Sequence, residues 1–359
     1  MRRSTESLRF LINRGMILDK LQQIWLTFWD ALTAKIGGGR IVQGIFLIAV
    51  LYLLVAGAIG VYWSWEPDPV EVNIQQTTDK SVVGVGTTGA LISVVQTLLE
   101  KPGGYLSNDR TPPGVWLDNI PNWEFGVLVQ ARDMARAMRK DFSRSQSQST
   151  EDADLAPAEP MLNFNNNSWL FPATETEYRK ALKGLYSYYG RLQDPSQPDA
   201  QFYARADNLN NWLADVSTRL GSLSQRLSAS VGQKRLNTDL AGEQSAQQST
   251  SSKQDMEVKT TWFELDDVFY EARGTAWALI QLLKGIEQDF GPALEKKNAR
   301  VSLLQIVREL ESTQGTIWSP IILNGNEFGL LANHSLVMAS YISRANAAII
   351  DLRELLAQG

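Results

Sequence analysis

ELDDVFYEARGTAWALIQLLKGIEQDF, residues 264–290, decides the fold class of this chain. Its apolar positions Leu265, Val268, Ala272, Ala276, Leu279, Leu283, Ile286 and Phe290 recur at steps of three and four, the spacing that aligns one face of an α-helix. Gly291 and Pro292 stop the run, because neither continues a helix well. A heptad-like stripe of this length predicts helices packed at small crossing angles in a bundle.

Working outward, the same periodicity predicts helices over residues 90–100, 123–144, 175–193, 200–230, 292–314 and 331–356. Strand character is confined to residues 70–74, and no repeat of fixed period is present. Residues 145–168 are polar, then rich in Pro and Asn, and read as a loop. Residues 231–258 contain QSAQQSTSSKQ at 244–254, where nine of eleven positions are Ser, Thr or Gln. Such a segment buries too little apolar surface to offset its ordering entropy, so both stretches are expected as mobile loops.

Nearer the N-terminus, IVQGIFLIAVLYLLVAGAIGVY at residues 41–62 carries no charge. At 1.5 Å rise per residue it spans roughly 33 Å, enough for one transmembrane helix over 41–63. Tyr62, Trp63 and Trp65 follow as interfacial anchors, and Trp25 and Trp29 play that part in an amphipathic segment on the other side. Residues 1–40 hold seven basic and three acidic side chains, leaving 27 basic against 36 acidic beyond Arg40, a net of -9. The positive-inside rule therefore places residues 1–40 in the cytoplasm and 64–359, an all-α domain, on the far side of the membrane. Cleavage after Ala56-Gly57-Ala58 is the competing reading, but forty residues before the apolar run are too many for a signal peptide. A start at Met16 would shorten that leader. A segment of forty residues cannot form a kinase or cyclase domain.

Composition removes many chemistries. The 359 residues include no Cys and one His, His334, so zinc fingers, thiol chemistry and His-rich metal centres are excluded. A net charge of -5 argues against nucleic acid as a partner.

Four motifs resemble functional sites. GVGTTG at 84–89 matches the dinucleotide fingerprint, but no second strand and no downstream ribose-binding acid follow, so Thr87 or Thr88 is read as a helix N-cap. Glu264, Asp266, Asp267 and Glu271 form an acidic cluster of the kind that glycosidases use, though acids in a first helical turn ordinarily complement the macrodipole. Glu311-Ser312 is similar to the Glu-Ser of lytic transglycosylases, without the Gly-Leu-Met-Gln type segment expected after it; Gly329-Leu330-Leu331-Ala332 is a poor substitute. Arg132, Arg136, Arg139 and Arg144 recur at helical spacing as a basic stripe on an acidic domain, the candidate partner contact, though Asp133 and Asp141 dilute it and a solvated face laced with local ion pairs is the plainer reading. His334 is expected to be a hydrogen-bonded packing residue. The tryptophans beyond the membrane are expected to be core and interface anchors.

Three stretches taken together, residues 100–152, 164–182 and 266–290, resemble an uncharacterised family of proteobacterial inner-membrane proteins, domain of unknown function 2333. The resemblance implies a Gram-negative inner-membrane setting, which makes residues 64–359 a periplasmic domain, and carries over no catalytic residue, cofactor or partner. The resulting expectation is a non-enzymatic single-pass membrane protein. Its domain acts as a scaffold or accessory subunit that binds the lipid bilayer and either an envelope protein or itself, with no catalytic, cofactor or metal residues. The alternatives are a membrane-tethered hydrolase or lyase acting on peptidoglycan or a glycan, and a ligand-sensing domain.

Overall fold

A computed structural model describes residues 23, 27, 40–68, 82–146, 148–197, 199–235, 256–319, 321–326 and 330–358. The amphipathic segment with Trp25 and Trp29, the 70–74 stretch and the Ser/Gln-rich run at 244–254 lie outside the described residues. Ten α-helices are described: α1 (Arg40–Trp63), α2 (Val85–Glu100), α3 (Asn119–Ala137), α4 (Leu155–Leu162), α5 (Thr174–Gln193), α6 (Ala206–Ser228), α7 (Leu265–Asp289), α8 (Gly291–Lys296), α9 (Arg300–Glu311) and α10 (His334–Ala357). The only sheet among the described residues is a short antiparallel ribbon of β1 (Gln233–Arg235) and β2 (Met256–Val258), which joins the two ends of the expected 231–258 loop. The fold class is all-α. Residues 1–59 and 60–359 form separate compact units.

Helix α1, most of which lies in the first unit, is long and apolar enough to cross a membrane: an 18-residue stretch within Val42–Trp63 has a mean hydropathy of 2.6. The second unit is built round α7. This helix packs against α2, α3, α6, α9 and α10. Its burial goes well beyond the stripe read from the sequence, since Gly274, Thr275, Trp277, Ala278, Ile280, Gln281 and Leu282 are buried as well. A helix apolar on most sides belongs in a core rather than on its surface, and between Ala272 and Ile286 only Arg273 and Lys284 carry charge. Trp123 of α3 lies on Trp277, ring centroids 5.2 Å apart.

Two glycines set how closely α7 meets its neighbours. A Cβ placed on Gly274 would fall 2.0 Å from the Trp123 carbonyl oxygen, and one on Gly285 would fall 2.6 Å from the Gly86 carbonyl oxygen. Both crossings therefore bring backbone against backbone, which any larger residue would separate.

The stretch expected as a loop at 145–168 contains α4, and this corrects the sequence reading. Asp152 accepts the Leu155 N–H at 3.2 Å and so caps the helix start, while Leu155, Ala158 and Leu162 enter the core. Pro157 falls in the first helical turn, where proline is tolerated, whereas Pro160 lies inside the helix, which is only 8 residues long. The run expected as one helix at 292–314 divides into α8 and α9 around Asn298, which has a positive φ of 51°.

Candidate functional site

The glycine motif is used for packing. Gly84 adopts φ 96° and ends beneath Phe202, whose Cβ would lie 2.5 Å from a Cβ built there. Helix α2 starts at Val85, so Thr87 and Thr88 lie inside its first turn and neither is its N-cap, contrary to expectation. Asp289, at the other end of α7, accepts the N–H groups of Gly86 at 3.2 Å and Thr87 at 2.5 Å. A helix N-terminus attracts anions because its amides are unpaired. Here the chain's own carboxylate takes that place.

The arginine stripe faces inward partners. Arg132 donates to the Leu162 and Phe164 carbonyls and to the Tyr178 hydroxyl. Arg136 lies 3.5 Å from Asp133 and 3.8 Å from Glu159, and Arg139 pairs with Glu151 at 2.8 Å and Glu159 at 2.6 Å. Arg144 sits 3.8 Å from Glu151. These side chains fasten α4 and its leading segment to α3 and the stretch that follows it, with Arg191 holding Asp152 and Asp154 from the α5 side. The geometry gives the stripe the local ion pairing that is the plainer reading of it.

Glu311 is on the surface, paired with Lys284 at 2.9 Å. His334 accepts the Leu323 N–H through Nδ1 at 3.2 Å and lies beside Phe269. Tyr62 and Trp65 are exposed and meet edge to face, whereas Trp63 is half-buried against the domain.

The acidic cluster does line a cleft. Glu264 just ahead of α7, Asp267 and Glu271 within its first turns, Asn122 from α3, Arg226 from α6 and Lys259 after β2 line a cleft of about 550 Å³, within the size range of small-molecule sites. Asn122 Nδ2 donates to Asp267 Oδ1 at 2.6 Å, and Arg226 is bound to Glu271. Burial, reinforced by the neighbouring charges of Asp266, Asp118, Glu264 and Glu271, pushes the Asp267 carboxyl up to about 6. A carboxyl titrating there can hold or release a proton near neutral pH, as a general acid must. No three His, Cys, Asp or Glu side chains among the described residues are arranged to hold a metal ion.

Sequence reasoning did not find the exposed apolar groups, because periodicity marks helices and these residues lie between them. Trp262 and Asn324, Gly325 and Asn326 line one shallow depression of about 250 Å³. Gly325 packs on the Leu331 backbone beside it. Trp262 is exposed, as are Phe263 next to it in the chain, at 87%, and Leu330 and Leu331. No curated protein and no solved structure matches the chain. Residues 35–359 match a family model described as uncharacterized protein conserved in bacteria, and the chain belongs to that family, domain of unknown function 2333.

Proposed function

We propose that this is a single-pass inner-membrane protein of Gram-negative bacteria, with a cytoplasmic N-terminus and a periplasmic helical domain. That domain acts as a non-enzymatic scaffold or accessory subunit binding another cell-envelope protein. The reading is carried by the exposed apolar side chains Trp262, Phe263, Leu330 and Leu331: Trp262 lines a polar depression together with Gly325, which packs on Leu331, and Phe263 and Leu330 adjoin them in the chain. Clustered exposed aromatic and aliphatic side chains rimmed by polar groups are the usual mark of a protein contact. A photo-crosslinking residue at Phe263 or Leu331, introduced in growing cells, tests it. The expected result is a discrete adduct with a second envelope protein, absent when the same residue replaces Thr218 on α6. Equal, diffuse crosslinking from all three positions argues against the reading.

The Asp267 cleft supports a second reading, a membrane-tethered hydrolase acting on peptidoglycan or a glycan. Release of muropeptides from cell-wall sacculi by the purified full-length protein, abolished in Asp267→Asn, would establish it in place of the scaffold.

A further inference from the structure

Trp169, Leu170 and Phe171 form the tip of a short loop ahead of α5, and they are 55%, 47% and 95% exposed. The base of this loop is closed by polar bonds. The Ser168 carbonyl accepts the Thr174 N–H at 2.9 Å, the Thr174 hydroxyl donates to the Asn165 carbonyl at 2.8 Å, and the Ser168 hydroxyl donates to the Pro172 carbonyl at 2.9 Å. Three large apolar side chains are thus held on a fixed turn where they face water in the isolated chain.

The position of the tip follows from its supports. Tyr105 donates to the Asn166 carbonyl, Asn108 to the Ser168 carbonyl and Arg110 to Asn167, so the loop is fixed to the 105–110 segment. That segment is in turn held by the buried Lys101–Glu124 pair, 2.6 Å apart, with Glu124 also accepting the N–H groups of Leu106 and Ser107. Asp109 packs on Gly114, at the start of the turn that exposes Val115 and Trp116. Pro113 and Leu117, in and beside that turn, lie against Gly60 in the last turns of α1, at 3.4 Å and 3.8 Å from a Cβ built there. The exposed tip and the exposed turn therefore belong to the part of the domain that receives the end of the spanning helix, beside Tyr62 and Trp65.

We infer that Trp169, Leu170 and Phe171, together with Val115 and Trp116, insert into the interfacial layer of the bilayer that α1 crosses and rest the domain on the membrane surface. The inference rests on the membrane reading proposed above. Tryptophan and phenylalanine favour the interface between headgroups and acyl chains. The acidic exported part gains nothing from anionic lipid, so apolar side chains carry the contact. The covalent tether supplies the high local concentration that makes a modest insertion persistent.

The chain contains no cysteine, so single replacements give uniquely labelled protein. The full-length variants Phe171→Cys, Trp116→Cys, Leu53→Cys in α1 and Thr218→Cys on α6 are labelled with an environment-sensitive fluorophore. They are reconstituted in phosphatidylethanolamine–phosphatidylglycerol vesicles carrying brominated acyl chains. The expected result is loss of emission and a blue shift at positions 171, 116 and 53, with position 218 bright and red-shifted. If position 53 is quenched while 171 and 116 behave like 218, the insertion is wrong and the spanning helix stands. If position 53 is not quenched, the membrane reading fails and takes the inference with it.

Discussion

Glu66, just beyond the end of α1, is locked to Arg273 in the middle of α7: both carboxylate oxygens lie 2.8 Å from the guanidinium Nε. The same guanidinium donates through Nη1 to the carbonyls of Thr313 and Gly315, each at 2.9 Å. Burial pushes the Glu66 carboxyl above its ordinary range, and Arg273 opposes that shift. One side chain thus ties the segment leaving α1 and the segment after α9 to the central helix, across 207 residues of sequence in the first case.

Removing one partner of this pair leaves the other charge desolvated. Arg273→Ala is expected to destabilise the domain by about 3–5 kcal/mol, and adding Glu66→Ala to recover part of that loss. Denaturant unfolding of the detergent-solubilised protein measures both. Simple additivity of the two substitutions would mean that the pair carries no coupling.

The glycine contacts of α7 give a sharper contrast. Gly274→Ala drives a methyl group into the Trp123 carbonyl, and an expected loss of about 2 kcal/mol or more follows from overpacking. Gly190 in α5 has nothing within 4 Å of a methyl group built on it. Gly190→Ala should therefore be neutral or gain up to about 1 kcal/mol from helix propensity. Equal melting temperatures for the two variants would contradict the close crossing of α3 and α7.

Asp267 makes stability depend on pH. Its carboxyl titrates at about 6 in the folded protein and near 4 when unfolded. Between those values the folded state keeps a proton that the unfolded state has released, so this group lowers stability as pH rises through the window. Asp267→Asn abolishes that slope. Melting curves should show the variant more stable than wild type by roughly 1–2 kcal/mol at neutral pH, a figure discounted for solvent screening, and equal to it below pH 4. A stabilisation of the same size at both pH values would assign the effect to something other than the proton.

The long helices were legible in the sequence because each combines an apolar stripe with a recognisable stop, and residues 264–290 differ from α7 by a single residue at each end. What the stripe concealed was burial on the other sides of that helix, legible only as a scarcity of charge. The acidic run from Glu151 to Glu159 reads as loop because of its prolines, so the sequence offers Arg136, Arg139 and Arg144 only the acids of their own helix as partners. Folded, the two segments neutralise each other. The Asp267 cleft was half legible: its acids are close in sequence, but Asn122 and Arg226 arrive from helices 145 and 45 residues away from their partners. Close contacts through Gly86, Gly274 and Gly285 left no periodic trace, since a glycine in a helix gives the same signal whether it faces solvent or another backbone.

A helical domain exported across the membrane by α1 is the central claim, and cysteine accessibility tests it most directly. With no native cysteine as background, Thr218→Cys and Ser4→Cys are each treated with a membrane-impermeant maleimide in intact spheroplasts and again after lysis. Labelling is expected at position 218 before lysis and at position 4 only after it. Labelling at position 4 in intact spheroplasts, with position 218 protected until lysis, would contradict the claim.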